Sequence, residues 1–170
     1  FICVAHLVSP WSTLSGVLAL SLAGVQAVRL AGWHDKRAWG IPILAVLYAG
    51  YLWLIAGFAL EGLAGFGLLP PFPALHALTT GAIGVITLGM MARVTLGHTG
   101  REMRSGRLTN LAFVTINLAA FVRVLLPLAI PAAYSVWLYA SGLLWTLAFL
   151  MFLWTYAPML VAPRADGRPG

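Results

Sequence analysis

The side chains best suited to chemistry in this sequence are histidines and arginines that stand in otherwise apolar segments. His76 opens the stretch HALTTGAIGVITLGMMARVTLGHTGR, which also contains Arg93 and closes on His98 and Arg101. Imidazole is the commonest metal ligand in proteins and an axial ligand of haem iron. The stretch therefore carries one candidate metal ligand at each end.

His76 and His98 would lie roughly 33 Å apart along one continuous helix, so they cannot bind the same metal ion. We predict His76 to be the ligand, because a histidine inside a membrane span needs a cavity, a partner or a metal. An interfacial histidine bonded to a carbonyl or to water is the equally weighted alternative. His6 is a candidate second axial ligand. Arg123, four residues before Pro127, could hold an anion such as a haem propionate or reach lipid headgroups.

The composition places the chain in a membrane. Of the 170 residues, 61% are hydrophobic and 8% are charged, whereas a soluble domain has about 25% charged residues. The net charge of +6 fits the positive-inside rule better than nucleic-acid binding, which we exclude. The sequence has no phosphate-binding loop, no metalloprotease motif and no carboxylate within a span.

Five apolar stretches have the length that a membrane-spanning helix requires, which is about 20 residues. They predict an all-α bundle forming a single transmembrane domain, with spans near residues 11–31, 41–60, 72–96, 108–127 and 134–156 and a cytoplasmic tail at 157–170. The glycine- and proline-rich stretch 61–73 is predicted to be a loop. The breaks between spans are otherwise polar, or marked by proline.

Charge alternates between successive loops. The 32–40 loop, the 97–107 loop and the tail carry Lys and Arg, whereas 61–73 and 127–133 carry almost none. The positive-inside rule therefore places the basic loops and the C-terminus in the cytoplasm, and His76 toward the outer side. The arginines of the 97–107 loop are expected to contact anionic lipids.

The third span has the small residues of a tightly packed helix. Gly81 follows Ala77 by four positions, and Gly84 follows Thr80 by four, which permits close helix approach. This predicts a central position in the bundle. Positions 76, 80, 83, 87 and 91 form a mildly polar stripe, which is typical of helix packing.

The quoted stretch and the closing PRADGRPG (residues 163–170) strongly resemble the NnrS family. The family pattern matches these residues: His76, Gly81, Gly84, Arg93, Leu96, Gly97, His98, Thr99, Gly100 and Arg101. The resemblance implies a bacterial inner-membrane protein of the response to nitric oxide and nitrosative stress, with haem and copper as cofactors. It also implies that the chain is the C-terminal part of a protein with about twelve spans.

One position departs from the family pattern, since Tyr48 stands where relatives often have histidine. The resemblance leaves open whether the protein is an enzyme, and the sequence does not establish its oligomeric state. Two alternatives stay open: a transporter or channel-like bundle without a redox cofactor, and a scaffold whose GHTGR loop is a docking surface.

Overall fold

The computed structural model describes residues 12–167, and within them every regular element is helical. Five long helices follow one another: α1 (Thr13–Trp33), α2 (Pro42–Gly65), α3 (Phe72–His98), α4 (Arg107–Val124) and α5 (Tyr134–Val161). With the short helical turns next to α4 and α5 included, all five are long and apolar enough to cross a membrane. The predicted all-α bundle with five spans is confirmed.

The helix boundaries follow from local capping. The side chain of Ser12 accepts a hydrogen bond from a backbone N–H in the first turn of α1, as expected of an N-cap serine. Asp35 caps a short 3₁₀ turn after α1, and Pro42 occupies the first turn of α2. The last helix, α5, continues through Pro158 to Val161, past the predicted boundary at residue 156.

The end of α2 differs from the sequence-based expectation of a loop beginning at residue 61. The helix continues to Gly65, and the chain turns away at Gly67, which has a φ of 72°. Gly62 and Gly65 lie against Gly16 of α1, and a Cβ on Gly65 would be 2.6 Å from the Gly16 Cα. These two glycines are therefore packing residues inside a helix, and the predicted start of the loop is wrong. The expectation that no carboxylate lies within a span is wrong with it, since Glu61 belongs to α2.

Glycines also set the distance between α2 and α3, which run antiparallel. A Cβ on Gly81 would lie 2.8 Å from the indole ring of Trp53, and a Cβ on Gly89 would lie 2.7 Å from Val46. Gly84 faces α4 and α5 instead. Of the five spanning helices, α3 and α4 have the largest buried share of residues. This agrees with the predicted central position of the third span.

Directly after His76, α3 contains a π-helical segment at Ala77–Ile83. Such segments have i→i+5 hydrogen bonds and occur frequently at functional sites. The wider turn of a π-helical segment changes which side chains share a face, compared with a regular α-helix. His76 and Thr80 are half-buried, whereas the side chains at positions 83, 87 and 91 are exposed. The prediction that this stripe is a packing face is therefore wrong for the described part of the chain.

Candidate functional site

The two ends of the bundle differ in charge. The antiparallel order puts 34–41, 99–106 and 162–167 at one end, named the basic end, and 66–71 and 130–133 at the opposite end. The basic end carries these cations: Arg29, Lys36, Arg37, Arg93, Arg101, Arg104, Arg107 and Arg164. Within residues 12–167, Arg123 is the single Lys or Arg near the opposite end. The basic loops and the uncharged loops, which alternate along the sequence, therefore lie at opposite ends of the bundle.

His76 and Arg123 lie together at the opposite end. His76 is the last residue before the π segment of α3, and Arg123 belongs to the last turn of α4. Both residues are half-buried, and the first turns of α3, which end at His76, contact α4. The fold therefore brings together the two cofactor-binding candidates that the sequence singled out.

A cleft of about 280 Å³ lies at Arg123 between α3, α4 and α5, and we name it the Arg123 cleft. His76 does not line it but precedes the lining residue Thr80 by four positions. Its polar lining consists of Arg123, Thr80, Ser141 and Trp145. The Ser141 hydroxyl donates a hydrogen bond to the Leu138 carbonyl at 3.0 Å. Within residues 12–167, the Arg123 guanidinium, the Thr80 hydroxyl and the Trp145 indole N–H have no hydrogen-bond acceptor. The one charged group of the cleft is a guanidinium and its other polar groups can donate hydrogen bonds, so the cleft suits an anionic ligand.

These residues fit one side of a haem site. A haem iron can be held by one imidazole nitrogen, and His76 of α3 is the residue that would supply it. The donors of the Arg123 cleft suit a propionate carboxylate. The predicted second axial ligand, His6, lies outside the described residues, so this prediction remains untested.

The described residues contain no cluster of His, Cys and carboxylate side chains that would hold a copper ion. Among residues 12–167 no group of three or more His, Cys, Asp or Glu side chains could hold a metal ion. His34 lies at the basic end, where its Nε2 accepts a hydrogen bond from the Trp39 indole at 2.9 Å. His98 also lies at the basic end, far from His76 along α3. Cys3 lies outside the described residues.

The GHTGR motif contacts the residues that follow α5. Arg164 Nη1 donates a hydrogen bond to the His98 carbonyl at 3.0 Å. The Ala165 N–H donates to the Thr99 carbonyl at 2.9 Å. Two segments that are distant in sequence are thus joined at the basic end. The periodicity of apolar residues does not indicate contacts between distant loops, so the sequence did not predict this one.

Gly100 permits this contact because its left-handed conformation is one that residues with a side chain rarely adopt. Its φ is 66°, and a Cβ there would lie 2.5 Å from the carboxyl carbon of Asp166. Asp166 forms an ion pair with Arg164 at 2.6 Å. Their hydrogen bond raises the pKa of the Arg164 guanidinium, which stays charged. Gly97, in the last turn of α3, borders Met103 of the loop that follows.

Arg93 and Arg101, the two arginines of the stretch from His76 to Arg101, also lie at the basic end. Arg101 Nη1 donates to the Thr99 carbonyl at 3.5 Å, a long hydrogen bond within its own loop. Arg93 is half-buried on α3 and lines a second cleft there. The structure therefore separates Arg93, His98 and Arg101 from the site at His76.

Tyr48, the departure from the family pattern, is a buried anchor at the basic end. Its hydroxyl accepts a hydrogen bond from the Asp35 N–H at 3.1 Å and donates to the Trp33 carbonyl at 3.1 Å. It thereby fixes the turn between α1 and α2. Because His76 lies at the opposite end, a ligand at position 48 could not join it.

Five apolar helices, with basic residues at one end and a polar cleft near the other, define a multi-span α-helical membrane protein. The chain belongs to the NnrS family, since the family model described as NnrS protein matches residues 1–164. No curated protein and no solved structure matches the chain.

Proposed function

We propose that this chain acts in the bacterial response to nitric oxide and nitrosative stress as a haem-binding protein of the inner membrane. Membership of the NnrS family supports the stress response and the membrane location. The observation that carries the haem assignment is that His76 and Arg123 lie at the same end of the bundle, on segments of α3 and α4 that contact each other, and that Arg123 lines the Arg123 cleft.

Each residue has a distinct role in this proposal. His76 gives an imidazole nitrogen to the haem iron, and Arg123 binds a propionate carboxylate. The Thr80 hydroxyl and the Trp145 indole N–H add neutral donors to the same carboxylate. An arginine within a span is costly without an anionic partner, so a bound carboxylate also stabilises Arg123. Haem supplies an iron atom that can take a diatomic ligand such as nitric oxide.

The family resemblance also implies copper, but we derive no role for it because the described residues offer no ligand set. We place the basic end in the cytoplasm by the positive-inside rule. The C-terminus is then cytoplasmic, and His76 and Arg123 face the periplasmic side. The surrounding partner of the five helices is the lipid bilayer.

The proposal is tested by the survival of cells exposed to a nitric oxide donor. A strain that lacks the protein is complemented with the intact wild-type protein, with His76→Ala or with His98→Ala, all at equal membrane abundance. We expect His76→Ala to leave the strain as sensitive as the uncomplemented one, because the haem ligand is lost.

His98→Ala is the matched control, because it removes an imidazole from the other end of the same helix. We expect it to restore tolerance as the wild type does. Full tolerance with His76→Ala would contradict the proposal and would favour a role that needs no haem at this site.

A further inference from the structure

A second cleft lies at the basic end, and neither the fold nor the proposed haem site accounts for it. It measures about 350 Å³, and we name it the Arg93 cleft. Its walls include Met90, Arg93 and Val94 of α3, His98 at the end of that helix, and Arg164 of the docked C-terminal segment. It thus combines two guanidinium groups with an apolar wall at the level where the helices meet their loops.

Arg93 is available for an anion, whereas Arg164 keeps free N–H donors but has its charge offset by Asp166. Arg93 is half-buried and makes no hydrogen bond or ion pair with any residue in 12–167. Arg164 is held in place, since its Nε and Nη2 donate to Asp166 and its Nη1 donates to the His98 carbonyl. A guanidinium has five N–H donors, so these three bonds leave two for a ligand. One arginine is therefore unpaired, and the other is oriented by the C-terminal segment.

An exposed stripe of α3 continues from the Arg93 cleft toward the middle of the bundle. It consists of Ile83, Thr87, Met90 and Val94, which are spaced as one face of a helix. The stripe covers roughly 16 Å of helix length. Its Ile83, Met90 and Val94 side chains are 63%, 42% and 48% exposed. A ligand that carries both an anionic group and a long hydrocarbon chain would contact the cleft and the stripe together.

We propose that the Arg93 cleft binds the phosphate headgroup of an anionic phospholipid, whose acyl chain lies along the exposed stripe of α3. The geometry favours a lipid over a free phosphate compound because the stripe is apolar and begins at the cleft wall. Basic pockets between membrane helices recognise lipid headgroups in this way. The site is independent of the haem proposal, since it lies at the other end of α3.

The test measures lipid binding to the purified intact protein in a neutral detergent. Short-chain phosphatidylglycerol is titrated against phosphatidylcholine of equal chain length, and the dissociation constants are compared. We expect phosphatidylglycerol to bind more tightly, and Arg93→Gln to weaken its binding by about fivefold or more. Arg104→Gln is the control for diffuse lipid contact by the arginines of this loop, because Arg104 lies outside the cleft, is 80% exposed and has its charge offset by Glu102 at 3.8 Å. We expect it to change the dissociation constant less than twofold.

Several results would overturn the proposal. Equal weakening by Arg93→Gln and Arg104→Gln would indicate diffuse surface charge. Equal affinity for the two lipids would exclude headgroup recognition. Competition by glycerol phosphate or inorganic phosphate at the same concentration would assign the cleft to a soluble phosphate compound. No binding of either lipid would mean that another helix or a second copy covers the stripe.

A second variant keeps the test decisive if Arg93→Gln does not fold. Arg164→Gln changes a residue outside every helix, so the bundle is expected to fold. It removes the second guanidinium, and we expect a similar loss of phosphatidylglycerol binding. Unchanged binding with Arg164→Gln would contradict the proposed site.

Discussion

Gly65→Ala is expected to lower the melting temperature of the purified protein by about 5 °C or more. The added Cβ would lie 2.6 Å from the Cα and 2.8 Å from the backbone nitrogen of Gly16. Backbone atoms cannot rotate aside as a side chain can, so α1 and α2 must separate. Tight helix packing is a main source of stability within a membrane, where water does not drive association. Thermal unfolding of the protein in detergent, followed by size-exclusion chromatography, measures the effect.

Gly24→Ala provides the matched control for Gly65→Ala. Gly24 also lies within a helix, and a Cβ there would meet no atom of residues 12–167 within 4 Å. Alanine favours helix over glycine, so the melting temperature should stay the same or rise slightly. Equal destabilisation by the two variants would contradict the contact between α1 and α2.

Arg123→Gln is expected to speed the loss of haem from the protein about tenfold, without changing the abundance of the folded protein. The guanidinium is the one cation near the opposite end among residues 12–167, and it lines the cleft that would hold a propionate. Truncating a charged partner of an anionic group typically costs enough free energy for such a change. Transfer of haem to an excess of soluble apomyoglobin measures the rate.

Arg107→Gln is the control for Arg123→Gln, because Arg107 begins the same helix at the basic end. It removes the same charge from α4 and is expected to leave haem transfer unchanged. If both variants release haem equally fast, net charge rather than the Arg123 cleft governs retention, and the role of Arg123 is refuted.

The five helices were predictable from sequence because each span must be long and apolar. Glycine misled the prediction at the end of α2. In soluble proteins glycine disfavours helix. Gly62 and Gly65 are nevertheless helical here, because the absence of a side chain lets α1 approach. The end of α2 is therefore set by its contact with Gly16 of α1, and the sequence of α2 alone gives no sign of that contact.

The candidate site was partly predictable. The loop charges indicated that His76 and Arg123 share one end, and the structure brings these residues together. The π segment was not predictable, because a stripe drawn at 3.6 residues per turn assumes a regular helix. Ser141 and Trp145 of α5 were also missed, since no motif marks them and only packing brings them to Arg123.

The contact between the GHTGR motif and the C-terminal segment was likewise not predictable from sequence. Both segments carried the family resemblance, but nothing in either indicates that Arg164 binds the carbonyl of His98. The contact depends on the left-handed conformation of Gly100 and on the space beside it, which Asp166 occupies. Both are features of the folded chain.

The central claim is that His76 binds haem, and the absorption spectrum of the purified intact protein tests it most directly. The Soret band and the haem content per protein are measured for the wild type, for His76→Ala and for His98→Ala, at equal folded protein. The account predicts a band that His76→Ala abolishes or shifts and that His98→Ala leaves unchanged. An unaltered band and unaltered haem content in His76→Ala would contradict it.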